Sequence, residues 1–290
     1  MRPVHPRGPH GSAAGVALVL ASILCGSEAG TARAWSPEDA RSQPISVLGA
    51  ELGFFVRSDH PYAMDGDVLV LSPVLHGSFA LRRRLQLTIE WPMGIVSVDP
   101  PGSAGDTDFV PGNPTLAVGW LIPTRSFDMT LAGGLGLPLT SAADQPGLGV
   151  LLGAIRGLWD PWLWSPEKLS LLGTFRADLD HDVLLLAFEA GFGILIAVDD
   201  DEETDVALQM SMELGFRARR VAPFVGLRGV FIPTDDGDDF QGSLDLGIRV
   251  DVGRAAYVRF GLTMNLDNPF GFAFEDHGVY GVHFGVGGRI

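Results

Sequence analysis

The chain has 290 residues, a formal net charge of -15, and 46% hydrophobic against 19% charged residues. So acidic a chain is poorly suited to nucleic-acid phosphates, and DNA and RNA are excluded as partners. Its 38 glycines sit within apolar segments and follow no three-residue period, which excludes collagen and argues against low-complexity disorder.

Residues 1–34 read as a signal peptide. Arg2 and Arg7 precede an apolar run over 13–24, and Ala32-Arg33-Ala34 fits a small-x-small cleavage site before Trp35. The run is short for a stable membrane anchor. A lipoprotein would have a small residue before its cysteine, and Leu24 precedes Cys25. Cleavage removes Arg2, Arg7, Arg33 and Glu28, taking the net charge from -15 to -17. It also removes the only cysteine, so the exported chain has no disulfide, thiolate metal site or cysteine nucleophile. Residues 35–44 form a short periplasmic lead-in, too small to fold alone.

From residue 45 onward the pattern has period 2. In SLDLGIRVDV (243–252), Leu244, Leu246, Ile248, Val250 and Val252 share one side, while Ser243, Asp245, Gly247, Arg249 and Asp251 share the other. The segments 85–93, 168–179, 204–216 and 255–267 alternate in the same way. They are longer than the five or six residues typical of soluble strands and match the roughly 9–11 needed to cross a bilayer. No run of 18 apolar residues follows the signal, so helical spans are excluded. The reading is all-β: a transmembrane antiparallel up-and-down β-barrel over 45–290 in a bacterial outer membrane.

The predicted strands are 45–57, 68–81, 84–97, 113–123, 127–138, 168–179, 183–198, 204–216, 221–232, 242–252, 255–267 and 278–290, about 12 in all, with 10 or 14 as alternatives. Residues 147–158 (GLGVLLGAIRGL) fit either a thirteenth strand or a short helix within one long outer loop, 139–167. Taking them as loop places every other long connection on one side and every short one on the other. The long connections carry the acid-rich runs Asp199–Glu203 and Asp235–Asp239, and the short turns carry Arg82, Arg83, Arg125, Arg217, Arg219, Arg220 and Arg254. Long outer loops and short periplasmic turns are the arrangement such barrels use.

With the aliphatic rows toward lipid, the opposite rows line a lumen. The lumen-lining candidates are Glu51, Glu90, Arg176, Asp178, Glu189 and Glu213, followed by Arg228, Asp245, Arg249, Asp251, Arg259 and Asp267. Arg249 and Arg259 fall on adjacent strands within reach of Asp245, Asp251 and Asp267. Such charges either brace the wall by pairing or meet a solute. A barrel of this size lies between filled and channel-forming barrels. Small residues at Ala117, Gly119, Ala132, Gly134, Gly136, Gly191, Gly193 and Gly261 leave room for a narrow path or relieve crowding in the wall. Trp91, Trp120, Tyr280 and Phe284 are expected as interface anchors, and Trp159, Trp162 and Trp164 of WDPWLW are expected to anchor the long loop in the same zone.

No cofactor or metal site is expected. The acidic runs lack the D-x-D-x-D-G-x5-E calcium pattern, and His60, His76, His181 and His283 have no metal-ligand spacing. No G-x-S-x-G is present, and Ser78 two residues from His76 is weak support for a nucleophile and base. An enzyme is not the expected reading; a lipid-modifying one stands as an alternative.

Gly112, Asn113, Pro114, Thr115 and Leu116 resemble a strand start in a transporter-like family of Gram-negative outer membranes, the meta-pathway phenol-degradation type. Ala117 and Val118 depart from it by continuing without the expected glycine. The final strand, with Tyr280, Val282, Phe284, Val286, Gly288 and Ile290 in alternation, is similar to the C-terminal signal read by the outer-membrane insertion machinery, although it ends in Ile rather than an aromatic. The resemblance implies uptake of small, hydrophobic or aromatic compounds and assigns no binding residues. The function expected is a channel passing small molecules through a narrow mixed-charge lumen; a closed structural or surface-binding barrel is the alternative. Outer-membrane lipid, lipopolysaccharide and the insertion machinery are the expected partners.

Overall fold

A computed structural model describes residues 47–57, 67–99, 106–124, 127–140, 153, 158–181, 183–198, 203–233, 239–252, 256–267 and 280–289. The strands are β1 (Val47–Arg57), β2 (Asp67–Arg82), β3 (Leu85–Asp99), β4 (Asp106–Pro111), β5 (Thr115–Pro123), β6 (Asp128–Gly136) and β7 (Lys168–His181). They continue as β8 (Leu184–Ala197), β9 (Asp205–Phe216), β10 (Val221–Phe231), β11 (Phe240–Val252), β12 (Ala256–Asn265) and β13 (Tyr280–Arg289). Consecutive strands pair antiparallel, except that β4 and β5 both pair with β3, and β1 pairs with β13 from Val47↔Arg289 to Phe54↔Val282, so the sheet closes on itself. Closure removes the unpaired edges that lipid would not tolerate.

β4 and β5 are two pieces of one wall strand. Both pair with β3, β5 through Leu85–Glu90 and β4 through Met93–Val98. Counted so, the barrel has 12 wall strands. The predicted strand 113–123 therefore begins earlier, at Asp106, and is interrupted at 112–114. β6 pairs directly with β7 over nine positions, so 147–158 supplies no thirteenth wall strand. The helix alternative there falls outside the described residues apart from Gly153 and Leu158, as do the signal segment and the 35–44 lead-in.

The alternation has the sense expected for lipid. Leu246, Ile248 and Val252 are exposed, whereas Ser243 and Asp245 on the opposite row are 1% and 5% exposed. Leu131, Leu171, Phe188, Leu208, Met210, Leu227 and Phe260 continue the exposed apolar surface around the barrel. A water-soluble sandwich would have the reverse polarity.

Candidate functional site: an inward loop above a charged lumen

The interrupted wall strand and the inward loop form one feature. Pro92, Pro111 and Pro114 lack the N–H that continues a ladder, so the wall loses hydrogen bonds where β3 meets β4 and β5. The groups left over bind residues 137–140 and 162–165 instead. Asn113 N–H donates to Leu163 O (2.8 Å), Leu137 N–H to Pro114 O (2.9 Å), and Thr140 Oγ1 to Pro111 O (2.9 Å). The Asn113 side chain is fully buried and uses its whole amide. Nδ2 donates to Trp162 O (3.1 Å) and Ser165 O (2.6 Å), and Oδ1 accepts from Leu139 N (2.9 Å) and Thr140 N (2.9 Å). At Gly112 a Cβ would stand 2.5 Å from Pro92 Cγ and 3.0 Å from Leu163 O, so only glycine fits between wall and loop.

This seam carries the loop into the barrel. Trp159, Trp162 and Trp164, expected at the membrane interface, are instead buried at 7%, 3% and 3% exposure. Trp162, Leu163 and Trp164 pack with Val70, Val74, Val96, Val110, Leu195 and Ala207, which point inward from β2, β3, β4, β8 and β9. The physical reason is that these strands are apolar on their inner face near the long connections, so the indoles gain more from closed apolar contact than from a half-wet interface. Leu158, Asp160 and Glu167 hold positive φ (56°, 55° and 52°), a conformation the surrounding contacts must support. Gly193, expected to leave a gap in the wall, receives Trp162: a Cβ there would lie 2.8 Å from Cε3. Gly193→Val should therefore expel Trp162, shifting tryptophan emission to the red and costing about 1–3 kcal/mol. Gly133→Val, whose Cβ would meet nothing closer than 3.8 Å, should leave the emission unchanged.

The other half of the lumen, toward the short turns, is charged. Arg176 (β7) forks onto Asp178 through Nε and Nη2 (2.8–3.0 Å) and reaches Glu189 (β8) through Nη1 at 3.0 Å. Arg228 (β10) pairs with Asp245 (β11), which also accepts from Thr263 Oγ1 (β12), and its guanidinium stacks on Trp159 at 5.4 Å. Asp160 and Gln209 exchange hydrogen bonds of 3.0 and 2.9 Å, fixing that tryptophan above the charges. Arg249 and Arg259 are directly opposed on β11 and β12, an unfavourable like-charge pairing. They separate: Arg249 takes Asp251 (3.1 Å) and Tyr257, whereas Arg259 lies on the Phe224 ring at 4.1 Å and reaches Glu213 on β9 (2.8 Å). Phe224 has room to lie there because Gly247 beneath it has no side chain; a Cβ would stand 2.3 Å from the ring. The expectation that Arg259 pairs within its own hairpin is thus corrected, since its partner lies three strands away on β9.

A cavity of about 110 Å³ opens in this half, lined by Trp159, Arg176, Glu189, Glu213, Arg228, Asp245 and Arg259 with Ser211, Ala187 and Gly226. Glu90 faces the lumen opposite His76 and Thr115, outside the cavity. Asp267 lies exposed just beyond β12. Glu51 occupies a β1 position opposite Val74 and Gly285, and its side chain is outside the described residues. Trp91, Trp120, Tyr280 and Phe284 face outward and are exposed. Most of the acidic runs 199–203 and 235–239 lie outside the described residues. Among the described residues, no group of three His, Cys, Asp or Glu is placed to hold a metal ion.

Neither a family model nor a curated protein sequence matches the chain. Solved structures do. The crystal structure of an outer membrane channel from Pseudomonas putida F1 superposes with a TM-score of 0.59 at 10% identity, covering 89% of this chain and 100% of that one. The NanC porin superposes with a TM-score of 0.54 at 6% identity, covering 84% of this chain and 100% of that one. At such identities the likeness concerns the backbone, and it agrees with the closed sheet and the apolar exterior. The chain is a closed 12-strand antiparallel β-barrel with an apolar exterior, and it shares the fold of an outer-membrane channel and of a porin.

Proposed function

We propose that this barrel passes small polar solutes across a bacterial outer membrane, with the inward loop restricting the half of the lumen nearer the long connections. The observation that carries this reading is the water-accessible cavity within the charged half, inside a closed wall. A barrel serving only as a scaffold has no need to keep a polar cavity in its interior, since apolar filling is at least as stabilising as ion pairs. Among the described inward positions, carboxylates (Glu90, Asp108, Asp128, Asp178, Glu189, Asp205, Glu213, Asp245, Asp251) outnumber cationic groups (Lys168, Arg176, Arg228, Arg249, Arg259). The lumen therefore favours cations electrostatically.

Planar-bilayer recording tests both statements. The expected result is a small conductance whose reversal potential in a KCl gradient has the sign of cation preference. An anion-selective current would reject the electrostatic part. No current, either from the native chain or after release of the loop, would reject the channel in favour of a closed structural barrel, the reading that the apolar cluster across the lumen favours.

A further inference from the structure

We propose that the cavity below Trp159 is a binding station for a small zwitterion of the free α-amino-acid type. The inference names a solute class for the channel reading and rests on it only for its physiological meaning; the binding itself stands on the cavity alone. Three guanidinium groups and three carboxylates line it, so a simple anion or cation gains little from the overall charge. The arrangement within that balance is what selects. Arg228 engages Asp245 through Nε and Arg259 engages Glu213 through Nη2, which leaves their remaining guanidinium N–H groups for a carboxylate. Glu189 and Glu213 each meet an arginine through Oε2, which leaves their Oε1 atoms for an ammonium group.

Both arginines are held from behind. Arg228 is backed by the Trp159 ring and Arg259 by the Phe224 ring, so little side-chain freedom is lost when a ligand arrives. The lining also includes Ala187, Gly226 and Ser211, small residues that leave space for a compact molecule and add one hydroxyl. A ligand bearing charges of both signs a few bonds apart satisfies unused donors and acceptors at once. Acetate or ethylammonium satisfies only one set while facing charges of its own sign.

Titration calorimetry on the detergent-solubilised, folded barrel tests this, with L-serine as the probe and acetate and ethylammonium as controls. L-serine should bind saturably and at least about tenfold more tightly than either control. Arg228→Met and Glu213→Gln, each checked for retention of the compact heat-modifiable gel band, should each weaken L-serine binding by about tenfold or more. No saturable L-serine binding, or equal binding of the controls, overturns the proposal whatever the variants do. Binding by a barrel that carries no current would keep the station and reject the channel; current without binding would do the reverse.

Discussion

Asn113→Ala should open the barrel without unfolding it. The substitution removes four hydrogen bonds at once and leaves the Leu139 and Thr140 amides and the Trp162 and Ser165 carbonyls without their partner. Each such group left buried costs about 1–3 kcal/mol, so the loop's attachment weakens by about 4 kcal/mol or more. The wall does not share that cost, because its ladders run uninterrupted from β5 through β13 and around to β3. Loss of local stability then appears as local opening. The expected measurement is a severalfold rise in bilayer conductance, with the heat-modifiable band retained. Asn113→Asp keeps the acceptor for Leu139 and Thr140 but sets a buried carboxylate oxygen against the Trp162 and Ser165 carbonyls, so its conductance should also rise above that of the native barrel. A folded Asn113→Ala barrel with unchanged conductance would show that the loop does not restrict the lumen.

The wall was legible in the sequence because a period of two has only two faces, and lipid settles which is which. The alternation of 243–252 and 204–216 matches β11 and β9 closely for that reason. The inward loop was not legible, and the tryptophans of WDPWLW, expected at the membrane interface, lie buried inside the wall. An indole at the end of a strand suits an interface and an apolar interior equally well, and only the partner surface decides. That surface did leave a signal. Val68-Leu69-Val70-Leu71, Ile194-Leu195-Ile196 and Phe109-Val110 are apolar on both faces, and a strand buried on both sides reads in that way. All three lie toward the long connections, which is where the loop enters. The motif Gly112-Asn113-Pro114 suggested a strand start; flanked by Pro111 and facing Pro92, it marks a break in the wall where the loop is sewn in. The charged half was legible as composition but not as pairing. Arg259 meets Glu213 three strands away because Phe224 and Gly247 shape the space between them, a relation that no spacing along the chain encodes.

Ile248→Arg and Asp245→Ala lie three residues apart on β11 and should fail at different stages. Ile248 faces lipid, paired with Pro223 and Phe260 and 38% exposed, so its replacement puts a cation into hydrocarbon at a cost of about 2–4 kcal/mol near the midplane. Asp245 is 5% exposed and holds Arg228 and Thr263, and breaking a dry buried pair would cost about 3–5 kcal/mol. Arg228 is not dry, however: it borders the cavity, and water can solvate the released guanidinium, which brings the cost nearer to that of a lost charged hydrogen bond, about 1.5–3 kcal/mol. The two also act in different places, because the outer face meets lipid during insertion whereas the Asp245 contacts join the neighbouring strands β10, β11 and β12 on the inner face, away from lipid. Refolding into liposomes, followed by the compact gel band, should therefore be slowed about tenfold or more by Ile248→Arg and little by Asp245→Ala. Melting of the inserted barrel should reverse the ranking for Asp245→Ala, which should also reduce cation preference by removing a lumen carboxylate. Arg228→Met combined with Asp245→Ala should recover much of the lost thermal stability, since it removes the unpaired cation as well. Normal insertion of Ile248→Arg would mean that the aliphatic row does not face lipid, and the membrane orientation of the whole barrel would fall with it.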